Sequence, residues 1–437
     1  MKKTINKLKK NPSSNLLKGM LTLMLGSSAA RIIGFVSIPI LTRIYSPEDY
    51  GALALFVASV AVLVPFATLK YSTAIPLPKT DAMAVNLLAL SLLLIFALVI
   101  IIAIPLLLFG ETILAWFNAQ ELAQWWWMIV LGVAGSAIYE LFSLWSTRKK
   151  QYKTIAKTQI IQSLMGNLVK IVLGVLGLKP FGLIFGQLIT QSAGISSLIK
   201  DSINDFKVNI PTISFRRIKF VAIFYREFAY YRLPSQFFMA LSTQAPVVMM
   251  ATLFDRELTG QLSLAVMAIS LPAGLIGSSM AKAFYAEVAF LGRHNIEKIK
   301  TITIDIQKKL FIVGIPCAGL LMLFAESAFI FIFGEKWATA GYFAAVLAPF
   351  ILMQLTSAPL VQLLNILGSQ FDYLKINITR LIGLIFIFMV FRSFNFESHS
   401  LVKVLSAYLS IFYLSISLFI FYSVNKSLKV GNVEKNP

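Results

Sequence analysis

Charged side chains fall inside otherwise apolar runs, and they set the chemistry open to this sequence: the cations Arg31, Lys70, Lys170 and Lys282, and the acids Glu140 and Glu326. A charge at mid-membrane costs about 3 kcal/mol or more on insertion scales, so each needs a partner or a wet cavity. Arg31 lies midway along its run. Its small neighbours Gly26, Ser27, Ser28, Ala29, Ala30 and Gly34 leave room for water or a ligand; the other reading is an ion pair or a bond to carbonyls. Lys70 and Lys282 sit near the cytoplasmic ends of their runs, where they either snorkel or flank a mouth. Arg232, opening a later run, extends that cationic rim or anchors the interface. Lys170 and Glu140 are close in depth and read as a structural ion pair. Coupled to protonation instead, Glu140 becomes an ion-coupling carboxylate, as does Glu326. Gln236, Gln244, Gln354 and Asn365 suit sugar hydroxyls, and equally suit holding helices together.

An excess of Arg and Lys over acids favours an anionic substrate such as a phosphate or diphosphate, where a cationic drug would call for carboxylates. No Gly-rich GK[ST] loop is present, so ATP hydrolysis is not expected. Cys317, His294 and His399 are too few and too scattered for a disulfide or a metal cluster, and no cofactor is expected.

The elements that must carry these groups are membrane helices. Of 437 residues, 58% are hydrophobic and 13% charged, about half the charge of a soluble domain. Spans of about 20 apolar residues fit runs at 17–42, 51–75, 83–109, 124–146, 158–178 and 181–199, then at 233–254, 261–285, 309–333, 340–367, 376–392 and 401–424. The sequence therefore predicts an all-α polytopic membrane protein with twelve transmembrane helices. Its parts are an N-terminal six-helix lobe (1–200), a cytoplasmic interfacial connection (201–232) and a C-terminal six-helix lobe (233–437). The first run also resembles a signal peptide ending at Ser28-Ala29-Ala30, but the uncharged stretch Ile32 to Leu41 continues past it.

Alternate connections hold 28 basic residues against five on the other side, which predicts that both termini are cytoplasmic. Trp125, Trp126 and Trp127 then fall at an outer aromatic belt. The net charge of +20 reflects this topology and attraction to anionic phospholipids, with no nucleic acid expected. Phe215-Arg216-Arg217-Ile218-Lys219-Phe220 reads as an interfacial helix on anionic headgroups, or as a solvated linker.

A shift of 209 residues lays Tyr45-Ser46-Pro47-Glu48-Asp49-Tyr50-Gly51 on Phe254-Asp255-Arg256-Glu257-Leu258-Thr259-Gly260. Ser46 or Asp255 caps the next helix, Pro47 suits its first position, and Glu48 or Glu257 meets the positive dipole end. The match is six helices apart, so the two lobes share an orientation and are related by a pseudo-two-fold axis along the membrane normal.

The stretch Arg31-Ile32-Ile33-Gly34-Phe35, running into Pro39-Ile40-Leu41-Thr42-Arg43-Ile44-Tyr45-Ser46-Pro47-Glu48-Asp49-Tyr50-Gly51, resembles the first helix, outer turn and second helix start of the Wzx-type oligosaccharide flippases. These form the polysaccharide branch of the MOP superfamily, which also holds lipid II flippases and MATE exporters. The resemblance covers nearly the whole chain. It implies a non-enzymatic flippase with a MATE-like fold, working by alternating access, whose helices 1, 2, 7 and 8 line a cationic cavity holding Arg31, Lys70 and Lys282 but not Lys170. The implied substrate is an undecaprenyl-diphosphate-linked oligosaccharide (O-antigen or capsule repeat unit), moved from the inner to the outer leaflet of a bacterial cytoplasmic membrane. Polysaccharide polymerase and chain-length regulator proteins are the implied partners, with a proton or sodium gradient as drive. The alternatives are a MATE-like drug exporter, a lipid II flippase, which the expectation of twelve helices ending about Lys426, without further C-terminal ones, disfavours, and a membrane polysaccharide polymerase, for which the outer connections are too short.

Overall fold

The computed structural model describes residues 12–291, 295–361, 363, 370–394 and 396–433, and no strand occurs among them. The first unit carries α1 (Pro12–Ile44), α2 (Pro47–Ala67), α3 (Asp81–Ala115), α4 (Trp126–Arg148), α5 (Tyr152–Val175), α6 (Phe181–Ser192), α7 (Ile195–Asn209) and α8 (Phe215–Phe224). Then come α9 (Leu233–Leu253), α10 (Arg256–Leu291), α11 (Ile296–Phe333), α12 (Ala338–Ser357), α13 (Gln370–Phe394) and α14 (Ser398–Val433). Twelve stretches of the described chain are long and apolar enough to cross a membrane; α6 and α7 share one, Phe181–Thr212, and α8 contributes none.

Helix starts follow local chemistry. Ser46 accepts from the Asp49 amide at 3.3 Å while Asp49 accepts from the Ser46 amide at 2.8 Å, a closed capping box with Pro47 in the first turn. At the equivalent start of α10, Asp255 accepts from the Leu258 amide at 2.7 Å. Both ends of the repeated motif thus do the capping that their residues predict.

The chain divides into compact units Met1–Ala240 and Leu241–Pro437, with the division inside α9. The early part of α9 belongs with the first unit because Phe237 meets Phe66 of α2 edge-on at 5.0 Å.

In the first unit α1 packs on α5 through small residues. A Cβ on Gly26 would collide with Ala156, Ser27 donates to Gln159 at 2.6 Å, and Ser163 donates to the Ala30 carbonyl at 2.8 Å. Lipid offers no hydrophobic drive between helices, so close backbone approach and interhelical hydrogen bonds hold them. The seam between α5 and α6 is similar: a Cβ on Gly186 would lie 2.8 Å from the Gly166 carbonyl.

The helix ends near the start of α3 are tied by charge. Asp81 takes Arg148 at 2.8 Å and Lys149 at 2.7 Å, and Lys149 reaches Asp205 of α7 at 3.1 Å. Arg148 also donates to the Pro78 carbonyl at 2.6 Å. Asp81 at the α3 N-terminus thus holds the end of α4, and Lys149 carries the tie on to Asp205 of α7.

In the second unit α12 is the buried helix. Gln261 of α10 donates to the Lys336 carbonyl at 2.6 Å and accepts from the Ala340 amide at 2.9 Å, which satisfies orphan groups at the α12 start. Ser406 of α14 donates to the Val346 carbonyl at 2.6 Å, and Ser357 meets Ser417 at 2.8 Å.

Candidate functional site

The α2 helix stops earlier than its apolar run, which extends to 75. It ends at Ala67, and Leu69 and Lys70 adopt left-handed backbone angles, with φ of 45° and 60°, before a 3-10 turn at Tyr71–Ala74. Two consecutive non-glycine residues in that region cost about 1 kcal/mol or more each. The turn is braced from within: Thr73 donates to the Lys70 carbonyl at 2.7 Å, and Thr68 meets Ser72 at 3.0 Å. Tyr71, donating to the Ala222 carbonyl at 3.0 Å, fixes it from α8. The consequence is that Lys70 turns into the bundle instead of snorkelling out, with its side chain 9% exposed.

There Lys70 Nζ lies 3.2 Å from Glu140 Oε1. This corrects the expected pairing of Glu140 with Lys170. Lys170 is buried on a different face of α5 and donates to Gln187 of α6 at 2.7 Å, while its backbone carbonyl accepts from Tyr45 at 2.7 Å. Similar depth brought the two together on paper; the helix face keeps them apart.

Lys70 lines a cavity of about 310 Å³ with Ser136, Gln191 and Gln236, against a wall from Val57 to Pro65 on α2 and Met239 on α9. The Gln191 Oε1 atom is buried with no hydrogen-bond partner. The cavity therefore combines one cation, which is paired with Glu140 behind it, two side-chain amides and a hydroxyl, on an apolar wall. Such a mixture binds polar and anionic groups by hydrogen bonds that hold orientation.

Of the residues singled out in the sequence, the structure brings Lys70, Glu140 and Gln236 together. Arg31 is exposed on α1, to one side of the stripe that packs on α5. Arg232 is exposed, its guanidinium 5.9 Å from the Phe228 ring. Gln244 is half-buried on α9 in the second unit, and Glu326 is exposed on α11. Gln354 donates to Tyr413 at 3.3 Å, a contact between helices. The side chain of Lys282, together with Asn365 and His294, lies outside the described residues. Sequence reading missed Ser136 and Gln191. Ser136 stands one turn before Glu140 on α4, a spacing that would have flagged it; nothing in the sequence distinguishes Gln191 from other helix-bound glutamines.

The helix expected around Phe215 is present as α8. Phe215, Phe220 and Phe224 are all exposed on it beside Arg216, Arg217 and Lys219.

Comparison with known proteins adds to this geometry. A family described as polysaccharide biosynthesis protein matches residues 40–341. The succinoglycan biosynthesis transport protein ExoT of Rhizobium meliloti (strain 1021) is 22% identical over 317 residues, covering 70% of this chain; the chain spans 60% of that relative's length. Among solved structures, an inward-facing multidrug resistance MATE family transporter of the MOP superfamily superimposes with a TM-score of 0.63 at 16% identity, over 93% of this chain and 95% of its own. A Vibrio cholerae MATE transporter gives 0.56 at 12% identity, over 95% and 97%. At such identities the likeness establishes the fold.

Proposed function

We propose, since the chain belongs to the polysaccharide biosynthesis protein family, that it flips undecaprenyl-diphosphate-linked oligosaccharide repeat units from the inner to the outer leaflet of a bacterial cytoplasmic membrane by alternating access. The chain is a multi-pass membrane transporter of the MOP superfamily that serves polysaccharide biosynthesis, and it is not an enzyme. The lipid-linked substrate, the inner membrane and cytoplasmic termini are our reading.

The observation that carries it is the cavity of the first unit, where Lys70 stands beside Gln236, Gln191 and Ser136. A diphosphate needs cationic donors, and sugar hydroxyls need amides and hydroxyls. In this mechanism Lys70 and Arg31 contact the diphosphate, and Gln236 contacts sugar. Protonation of Glu140 releases Lys70 to the substrate, which couples a proton gradient to binding; sodium arriving at the carboxylate has the same effect. Arg232, Gln244 and Lys282 are further substrate contacts, and Glu326 is a second coupling carboxylate. The exposed aromatics and bases of α8 rest on anionic headgroups. Polymerase and chain-length regulator proteins receive the product.

The test is surface polysaccharide in cells lacking the native protein and supplied with variants. Arg31→Ala abolishes it while the protein still inserts, and Arg31→Lys retains part. Normal polysaccharide in the Ala variant removes Arg31 from the mechanism. Vesicle transport at equal rates with and without a proton or sodium gradient refutes coupling. Resistance to cationic drugs that depends on the chain, with polysaccharide unchanged, supports a drug exporter instead.

A further inference from the structure

Arg380 is a third buried cation after Lys70 and Lys170, seated on α13 in the second unit, and it is not among the residues lining the cavity at Lys70. It lies six residues inside the span Leu374–Phe394, a depth of about 9 Å at 1.5 Å per residue. Arg380 is 8% exposed and Asn377, three residues earlier on the same helix face, 6%.

The partners of this pair are few. Arg380 Nη1 donates to the Tyr413 hydroxyl at 3.5 Å, and its guanidinium carbon lies 5.7 Å from the Tyr413 ring centroid. Arg380 Nε and Asn377 Nδ2 are both buried with no hydrogen-bond partner. No carboxylate among the described residues pairs with Arg380. The backbone carbonyls of Thr379 and Arg380 each accept from the Tyr408 hydroxyl, at 3.3 and 3.0 Å. Tyr413 accepts from Gln354 as well as from Arg380, so its own hydroxyl proton is available to a third group.

A guanidinium does not shed its proton to escape this cost, as a buried lysine does. Its charge must be met. The buried unpartnered atoms here are donors, the Nε–H of Arg380 and the Nδ2 of Asn377, and the hydroxyl proton of Tyr413 stands beside them. A cation would be repelled by the fixed guanidinium charge. A water molecule would take some of the hydrogen bonds and leave the charge. With Nη1 directed at Tyr413, the edge formed by Nε and the other terminal nitrogen is the one left to bind, and that edge suits a halide or two oxygens of an oxyanion.

We propose that Asn377, Arg380 and Tyr413 form a binding site for one small inorganic anion, which locks α13 against α14. The site shares no residue with the lining of the cavity at Lys70, and it stands whether or not that cavity carries an oligosaccharide lipid.

The experiment uses the full chain purified in detergent and exchanged into sodium gluconate. Its melting temperature is followed as chloride, then inorganic phosphate, replaces gluconate at constant ionic strength. The expected result is a saturable rise of several degrees with at least one of the two anions. The rise disappears in Arg380→Met, and in Asn377→Leu it needs about ten times more anion, equivalent to about 1.4 kcal/mol. Should Arg380→Met fail to fold, Asn377→Leu decides alone, because it keeps the charge and removes one donor. An identical anion response in wild type and Asn377→Leu overturns the proposal, as does a wild type that responds to neither ion. A rise produced only by added phosphatidylglycerol also overturns it, and assigns the site to a lipid headgroup.

Discussion

Lys70 Nζ and Glu140 Oε1 stand 3.2 Å apart, joining the turn after α2 to the second half of α4, and the two partners are unequally buried: 9% of the lysine side chain is exposed against 33% of the carboxylate. The inequality gives the pair a direction. Losing the acid strands a cation in the bundle; losing the lysine leaves an acid that is only partly buried.

Glu140→Gln is therefore expected to destabilise by about 1 to 3 kcal/mol, less than a fully buried pair because the carboxylate is only partly buried. Lys70→Met is expected to cost about 1 kcal/mol or less, and the double variant to regain most of the loss. Thermal unfolding in detergent measures all three. Equal losses for the two single variants would show that the burial difference has no energetic weight.

The carboxylate at the start of α3 gives a pH prediction. Burial works against the charge on Lys149, but the neighbouring carboxylates of Asp81 and Asp205 outweigh it and hold its pKa above the ordinary 10.5. A lysine with a raised folded pKa contributes stability that is complete below its unfolded value and is lost as pH climbs through the folded one. Wild-type stability should thus fall above pH 10.5, with a smaller decline for Lys149→Met over the same window. Asp81→Asn should cost about 1 to 2 kcal/mol at neutral pH. Parallel alkaline declines for wild type and Lys149→Met would disprove the assignment.

At the α5 and α6 seam, Gly186 leaves space both for the Gly166 carbonyl and for the stem of Lys170. Gly186→Ala should destabilise by about 1 to 3 kcal/mol through overpacking. It should also weaken the Lys170 to Gln187 hydrogen bond, because the Lys170 stem has to give way. An unchanged melting temperature would mean that the seam relaxes freely.

Much of the fold was legible because hydrophobic run length and helix caps are local properties. Twelve apolar helices, the capped starts at Ser46 and Asp255 and the helix at Phe215 follow from residues a few positions apart. The polar break expected from 201 begins instead as helix, since α7 continues to Asn209. The site was less legible because it depends on which helix face each residue takes. The stop at Ala67 has no glycine to announce it, and the apolar run passes straight through it. Lys170 turned out to serve Gln187 because Gly186 makes room there, a relation that needs two helices to be in place. The family, by contrast, was readable from the stretch between Arg31 and Gly51, most of which lies in the matched region 40–341.

The seam between α1 and α5 has a mechanical consequence. Gly26, Ser27 and Ala30 bring α1 against α5 on one stripe, with steric interlock at Ala156 and hydrogen bonds at Gln159 and Ser163. Two rods meshed this way travel as one plank: tilting α5 sweeps Arg31 through the same arc.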